Sequence, residues 1–167
     1  KRGTRLRPSI TGGNQEEGLS PGTENVLGAV GASAALTVLV DDVDRAARFD
    51  AMLDAFLEPL RGLGGCLVVG GNAPRLAGVV TLELDGVEGE AAMINLDLQG
   101  VAVSTGSACA LGAAEPSATL LAMGMSRARA ASTIRVSVGD GVDDASAAHA
   151  GRMLREVVIR LRHLASP

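Results

Sequence analysis

A near-absence of aromatic side chains is the feature that most constrains how this chain can fold. The 167 residues include two Phe, no Trp and no Tyr, together with 22 Gly. A hydrophobic fraction of 47% at this length is still sufficient for a globular core that needs no disulfide or metal to hold it. We therefore expect a core made of Ala, Val, Leu and Ile, with many turns between the elements.

Composition and charge exclude several classes of function. Platforms that stack single-stranded bases need aromatic rings, and a net charge of −4 gives no basic field for a phosphate backbone. The longest apolar run, residues 26–40, contains Gly, Ser and Thr and is shorter than a bilayer span. We expect no nucleic-acid partner and no membrane partner. With two cysteines and no recognisable signal peptide, the chain is expected to be cytoplasmic.

Hydrophobic periodicity predicts a small α+β arrangement, with helices on a partly antiparallel sheet. We expect Thr23 to cap the first helix, and an Asp cluster at 41, 42 and 44 to cap the second helix, which Pro59 ends. Cys66 is expected to pack as a small apolar residue, and the Cys and His spacings predict no metal site. The predicted strands are 66–69, 79–84, 101–103 and 133–138. The later predicted helices are 87–98, 117–123 and 142–164. In the first of these helices, residues 87, 91, 94 and 98 lie on one side.

A single cysteine lies in a stretch of small residues without helical or strand periodicity. Cys109 is embedded in residues 104–116, which we expect to form a loop. A thiol on such a loop can be exposed and can move, as a nucleophile or a carrier of a transferred group requires. The alternative is an unreactive thiol in a well-packed loop. Neither His is close in sequence, so a Cys–His pair cannot be argued.

Two further positions are candidate ligand-binding residues. In the predicted strand 133–138, alternation places Thr133, Arg135 and Ser137 on one face and the intervening Ile and Val residues toward the core. Arg135 can bind a carboxylate through two parallel hydrogen bonds, or it can simply be a solvated side chain. Thr23 follows a Gly-rich segment and can bind a phosphate at a helix start, or act as an ordinary cap.

Three stretches of the sequence carry motifs of a known family: residues 11–16 with 21–26, then 86–109 with 115–124, and finally 134–139. In this order they resemble the cysteine desulfurases, the pyridoxal-phosphate enzymes of the NifS and IscS type. The Cys109 segment followed by Glu-Pro-Ser and Leu-Leu-Ala-Met-Gly is highly specific. The long spacing between these motifs is more similar to the NifS/IscS branch than to the SufS branch. The resemblance covers nearly the whole chain.

The resemblance implies a role for each candidate residue. Cys109 matches the mobile-loop nucleophile that takes sulfur from L-cysteine and holds it as a persulfide. Arg135 matches the arginine that binds the substrate carboxylate. Thr23 matches the threonine that reaches across a dimer to the phosphate of the cofactor, pyridoxal 5'-phosphate. The family's Schiff-base lysine lies upstream of the matched region, and Lys1 does not correspond to it.

The resemblance also implies the fold and the partners. The fold is α/β overall, as the C-terminal portion of the type I fold of pyridoxal-phosphate-dependent transferases, with a partly antiparallel sheet covered by helices. Residues 1–40 correspond to the end of the large cofactor-binding domain, and residues 41–167 to the small domain with the Cys loop. A homodimer or a complementary chain, and an iron–sulfur scaffold or other sulfur acceptor, are the expected protein partners.

Two other functions stay open. The family loop usually carries arginines where this chain has Glu17 and Ser20, and a third Gly where it has Asn14. The family's Schiff-base lysine is also not among these 167 residues. These differences favour, as the alternative, a non-catalytic or split-enzyme module that docks on another desulfurase chain or a scaffold. A lyase acting on selenocysteine or cystine is a further alternative.

Overall fold

The computed structural model describes residues 3–71, 73–105 and 116–165. The chain divides into two compact units, Lys1–Val43 and Asp44–Pro167. The assignment of residues 1–40 and 41–167 to the two domains of a longer enzyme remains a prediction.

Over its described residues, the first unit consists of a loop segment with a short 3₁₀ turn (Gln15–Gly18) and one α-helix, α1 (Val26–Asp41). Asn25, not Thr23, caps this helix, since its side-chain oxygen accepts a hydrogen bond from the Gly28 N–H at 2.9 Å. The prediction for Thr23 was wrong because the first turn begins two residues later than expected. None of the side chains of α1 is buried.

The second unit is built on a four-stranded sheet whose order is β1-β2-β4-β3. Every pairing within it is antiparallel. The predicted strand at 101–103 is wrong, because the Val101 N–H still bonds to the Leu96 carbonyl of the preceding helix and the strand starts only at Ser104. The strands are β1 (Cys66–Val68), β2 (Val79–Leu84), β3 (Ser104–Thr105) and β4 (Thr133–Ser137).

In the described part of this unit, five α-helices accompany the sheet. Asp44 occupies the N-cap position of α2 as predicted, but its side chain makes no capping bond. Asp41 was wrongly assigned to this cap, because it is the last residue of α1. Pro59 ends α2 as predicted, in the short 3₁₀ turn Glu58–Leu60. The helices are α2 (Arg45–Leu57), α3 (Gly89–Asp97), α4 (Ala118–Ala122), α5 (Arg127–Ala131, which was not predicted) and α6 (Asp144–Ala165).

The core lies between the sheet and the helices α2, α3 and α6, and it is aliphatic as the composition requires. Phe56 is its one buried aromatic side chain among the described residues. Helices α2 and α6 approach closely because Gly151 of α6 faces the Phe56 carbonyl, where a Cβ atom would collide with backbone. The fully buried side chains include Leu53, Leu82, Leu84, Leu96, Ile134, Leu154, Val157 and Val158.

Candidate functional site

The two faces of the sheet differ in chemistry. Leu82 and Leu84 of β2 and Ile134 of β4 are fully buried in the core. Because successive side chains alternate between faces, Thr81 and Glu83 of β2 share the opposite face with Arg135 of β4. This polar face, defined by Thr81, Glu83, Ser104 and Arg135, is the candidate site of the second unit.

Arg135 stands at the centre of a row across the sheet. It is paired directly with Thr81 on β2 and with Ser104 on β3. Its side chain is exposed, and among the described residues it makes no hydrogen bond or ion pair. The row therefore offers a guanidinium flanked by two hydroxyl-bearing residues, and the guanidinium is free to bind an anion.

The candidate nucleophile Cys109 lies outside the described residues. The described chain leaves the sheet at Thr105 of β3 and resumes at Pro116, before the buried Ser117 and helix α4. The strand that leads into the Cys109 segment is thus hydrogen-bonded directly beside Arg135.

An ion pair that sequence reasoning missed lies on the same face. The Glu83 carboxylate accepts two hydrogen bonds from Arg129 of α5, from Nε at 2.6 Å and from the terminal nitrogen at 2.7 Å. The Glu83 side chain is 9% exposed and that of Arg129 is 57% exposed. The hydrogen bond from Arg129 holds the pKa of Glu83 below its ordinary value, against the opposing effect of burial. The available sequence signal was that Glu83 is the one charged residue in β2.

A polar residue close to this pair is buried. Thr133 of β4 is paired with Glu83, and its hydroxyl donates a hydrogen bond to the Ala130 carbonyl at 2.8 Å. Strand alternation placed Thr133 on the same face as Arg135, yet Thr133 is buried beside the end of α5. The open part of the polar face is therefore centred on Arg135.

The candidate phosphate-binding residue Thr23 lies in the first unit. It is exposed, two residues before the Asn25 cap, and its hydroxyl has no hydrogen-bond partner among the described residues. The loop before it is closed by a hydrogen bond from the Gly22 N–H to the Gln15 side chain, and Glu16 and Glu17 adopt positive φ values. Such conformations are costly for residues with a Cβ atom.

The Thr23 hydroxyl fits one uncharged hydrogen bond to the phosphate of pyridoxal 5'-phosphate. A free hydroxyl can donate to a phosphate oxygen. Residues 8–44 contain no Lys, Arg or His, however, and Glu16, Glu17 and Glu24 lie close to Thr23 in sequence. The positive charge that a bound phosphate needs must therefore come from residues outside this segment.

Cys66 is half-buried at the start of β1, next to the core. Burial raises the pKa of its thiol, although the nearby Arg162 acts in the opposite direction. The Arg162 guanidinium is engaged with backbone carbonyls, including those of Gly64 at 2.6 Å and Asp85 at 2.8 Å. The packing of Cys66 against the core agrees with the expectation that it behaves as a small apolar residue.

Two general features of the described residues bear on function. Over residues 3–71, 73–105 and 116–165, His, Cys, Asp and Glu form no group suited to a metal ion. In the same part of the chain, no helix alone has the length and apolar character to cross a membrane, and only the successive helices Val26–Asp41 and Arg45–Leu60, taken as a bent pair, reach those criteria.

Comparison with known proteins supports the resemblance seen in the motifs. The cysteine desulfurase of Klebsiella pneumoniae is 35% identical over 167 residues, which cover 98% of this chain and 42% of that protein. That of Rhodobacter capsulatus is 36% identical over 163 residues, covering 97% and 42%. The chain thus spans about 42% of the length of these relatives.

Solved structures support the fold. A NifS-like protein from Rickettsia africae superposes with a TM-score of 0.77 at 23% identity, over 94% of this chain and 41% of that one. Another NifS-like protein gives a TM-score of 0.75 at 26% identity, over 98% and 41%. The predicted fold class is therefore confirmed. A family model for class-V aminotransferases matches residues 6–144, and the chain belongs to the class-V aminotransferase family.

Proposed function

We propose that this chain contributes the sulfur-carrying part of a pyridoxal-phosphate-dependent cysteine desulfurase. The enzyme converts L-cysteine to L-alanine and carries the sulfur as a persulfide on Cys109. One observation carries the proposal: the guanidinium of Arg135, which has no partner among the described residues, lies beside the strand that leads directly into the Cys109 segment. The named relatives are cysteine desulfurases, which supports this choice of chemistry.

Arg135 binds the carboxylate of the substrate. A guanidinium fixed on a strand can form two parallel hydrogen bonds with a carboxylate, which defines both the position and the orientation of an amino acid. The flanking positions of Thr81 and Ser104 provide no competing acid. The substrate is therefore held with its side chain directed away from Arg135 and available to a second group.

Cys109 is that second group. Cys109 is five positions after Ser104 in the sequence, and a chain of that length spans at most about 18 Å between its end Cα atoms. The Cys109 thiolate attacks the substrate sulfur: the substrate C–S bond breaks, an S–S bond forms, and the carbon takes up a proton to give alanine. A thiol reductant or a sulfur-acceptor protein then removes the terminal sulfur and regenerates the Cys109 thiol.

The cofactor supplies the electron sink that makes cleavage of the C–S bond feasible. The free hydroxyl of Thr23 would donate a hydrogen bond to the phosphate of the bound cofactor. We further propose that the enzyme acts in the cytoplasm as a homodimer, or with a complementary chain. The persulfide is passed to an iron–sulfur scaffold or to another sulfur acceptor.

The test is turnover by the complete cofactor-loaded protein, with alanine and sulfide measured in the presence of a thiol. We expect Cys109→Ala to abolish turnover and Arg135→Ala to raise KM for L-cysteine. The matched control Cys66→Ala should leave turnover unchanged, since its buried thiol is not a nucleophile. Equal turnover by the unsubstituted protein and Cys109→Ala would contradict the proposal.

The exposed apolar surface of α1 favours a second candidate, a module that docks on another chain without catalysis of its own. Leu27 is 88% exposed and Val40 is 72% exposed. The intact mass of the natural protein, the polypeptides that co-purify with it and its visible spectrum distinguish the two candidates. A cofactor absorbance band together with alanine production excludes the non-catalytic module.

A further inference from the structure

Two arginines are associated with the polar face of the sheet, and only one of them is engaged. Arg129 donates two hydrogen bonds to Glu83, whereas Arg135 has no partner among the described residues. Both arginines are exposed to solvent, but Glu83 is nearly buried. The carboxylate therefore depends on Arg129 for compensation of its charge.

The sheet register places Glu83 within reach of Arg135 as well. Arg135 is directly opposite Thr81, and Glu83 is two residues further along the same strand, on the same face. Such diagonal neighbours on antiparallel strands have their Cβ atoms about 7–8 Å apart or slightly less, a separation that long side chains bridge. A Glu83 carboxylate without another partner would be an intramolecular competitor for the Arg135 guanidinium.

We propose that Arg129 is a positioning residue, which binds Glu83 on the α5 side and so keeps Arg135 available for the carboxylate of an amino-acid substrate. This inference rests on the proposed function, in which Arg135 binds that carboxylate. The bidentate geometry favours the pairing of Glu83 with Arg129 over a pairing of Glu83 with Arg135. Both carboxylate oxygens of Glu83 point to Arg129, and the pair has no net charge that would draw Arg135 away from a ligand.

The arrangement explains why an acid can be placed beside a carboxylate-binding residue at all. An unpaired Glu83 would repel an incoming carboxylate and attract Arg135, and both effects would weaken substrate binding. With Arg129 in place, the only unneutralised charge on the row formed by Thr81, Arg135 and Ser104 is the guanidinium of Arg135. Substrate affinity is thus set by a residue that does not touch the substrate.

The test compares variants of the complete cofactor-loaded protein in a titration with L-cysteine. Arg129→Ala should raise KM roughly threefold to tenfold, the weight of one partly exposed ion pair, and leave kcat within about twofold. The double variant Arg129→Ala/Glu83→Gln should restore KM, because a neutral amide does not compete for the Arg135 guanidinium. Arg61→Ala, which cuts the exposed pair between Arg61 and Glu58, is the matched control and should change neither constant.

A spectroscopic readout tests the same idea without turnover. In ¹⁵N NMR spectra of the arginine side chains, the Nε–H signal of Arg135 should shift in Arg129→Ala, as Glu83 becomes its partner. The shift should disappear in the double variant. A purely structural role of Arg129 would lower thermal stability but would not move the Arg135 signal.

The outcomes separate the two proposals. If Arg135→Ala raises KM but Arg129→Ala does not, or if Glu83→Gln fails to restore KM in the double variant, the inference is overturned and the proposed function stands. If Arg135→Ala leaves KM unchanged, the proposed function loses its carboxylate-binding residue. In that case the NMR signal of Arg135 still decides whether Arg129 keeps Glu83 away from it.

Discussion

Arg129 and Arg135 show how the surroundings of a side chain determine its role. Both are exposed arginines of the second unit. Arg129 neutralises a buried acid at the end of the sheet, and it is therefore part of the structure. Arg135 projects from a strand between two neighbours without charge, and it is therefore available to a ligand. The same chemical group thus stabilises a buried acid in one place and is exposed to solvent on a strand in the other.

The ion pair between Glu83 and Arg129 predicts a dependence of stability on pH. The pKa of Glu83 in the folded protein lies below its ordinary value of 4.5, so the pair contributes stability above that pH. The contribution is lost as pH falls from 4.5 through the lowered pKa of the folded state. We expect Glu83→Gln to flatten the fall in the free energy of unfolding over this acidic range, as measured by urea titrations at a series of pH values.

The other carboxylates titrate in both proteins, so the difference between the two slopes isolates Glu83. Asp143, whose pKa is also lowered, by its hydrogen bonds with Ser146, contributes equally to both curves. Identical slopes for the unsubstituted protein and Glu83→Gln would show that the pair is not maintained in solution.

At the residue scale, the sequence predicted the strand face on which Arg135 lies, but it did not predict the ion pair between Glu83 and Arg129. Strand alternation and the surrounding motif both pointed to Arg135. The contact of Glu83 with Arg129 spans 46 residues and depends on a five-residue helix, α5, that has no apolar stripe of its own. A pair of this kind is fixed by tertiary packing, and no local pattern in the sequence reveals it.

Helices α2 and α6 provide a prediction at the scale of elements. Their contact depends on the absence of a side chain at Gly151, which faces the backbone carbonyl of Phe56. Gly151→Ala should reduce the free energy of unfolding by about 1–3 kcal/mol, since backbone cannot move aside as a flexible side chain can. Chemical denaturation of the two proteins measures this difference.

Gly139→Ala is the matched control for that substitution. No atom lies within 4 Å of the position of its added Cβ, and its φ is not positive. Its effect should stay within about 0.5 kcal/mol. If both substitutions cost the same, the close approach of α2 and α6 is not what Gly151 provides.

The long helices were predictable from sequence, but the orientation of the short helix α3 was not. The apolar stripes of α2 and α6 placed Leu53, Phe56, Leu154 and Val157 in the core. In α3 we expected Ile94 and Leu98 on the packed side, yet they are 48% and 80% exposed. The reason is steric, because Gly89 packs against the backbone of β4 and thereby turns Ala92 and Leu96 inward.

The whole molecule combines a unit with its own core and a unit without one. Asp44–Pro167 encloses the aliphatic core, whereas α1 in Lys1–Val43 has no buried side chain. We expect a protein limited to residues 44–167 to unfold cooperatively in calorimetry, because the side chains that form the core are all retained. A broad transition without a heat-absorption peak would show that its folding needs residues 1–43.

The limits of sequence reasoning at this scale have a physical cause. Composition correctly predicted an aliphatic core, and the motifs predicted the family. The apolar run of residues 26–40 forms a helix without buried side chains, and an apolar pattern does not specify what covers such a helix. The chain spans about 42% of the length of its curated relatives.

The central claim is that Cys109 carries the transferred sulfur, and mass spectrometry of the reacted protein tests it most directly. The complete cofactor-loaded protein is treated with one equivalent of L-cysteine without a reductant, alkylated and digested. We predict that the peptide with Cys109 gains one sulfur atom, that the peptide with Cys66 does not, and that Arg135→Ala lowers the yield. Alanine formed in one turnover without added sulfur on Cys109 would contradict the claim.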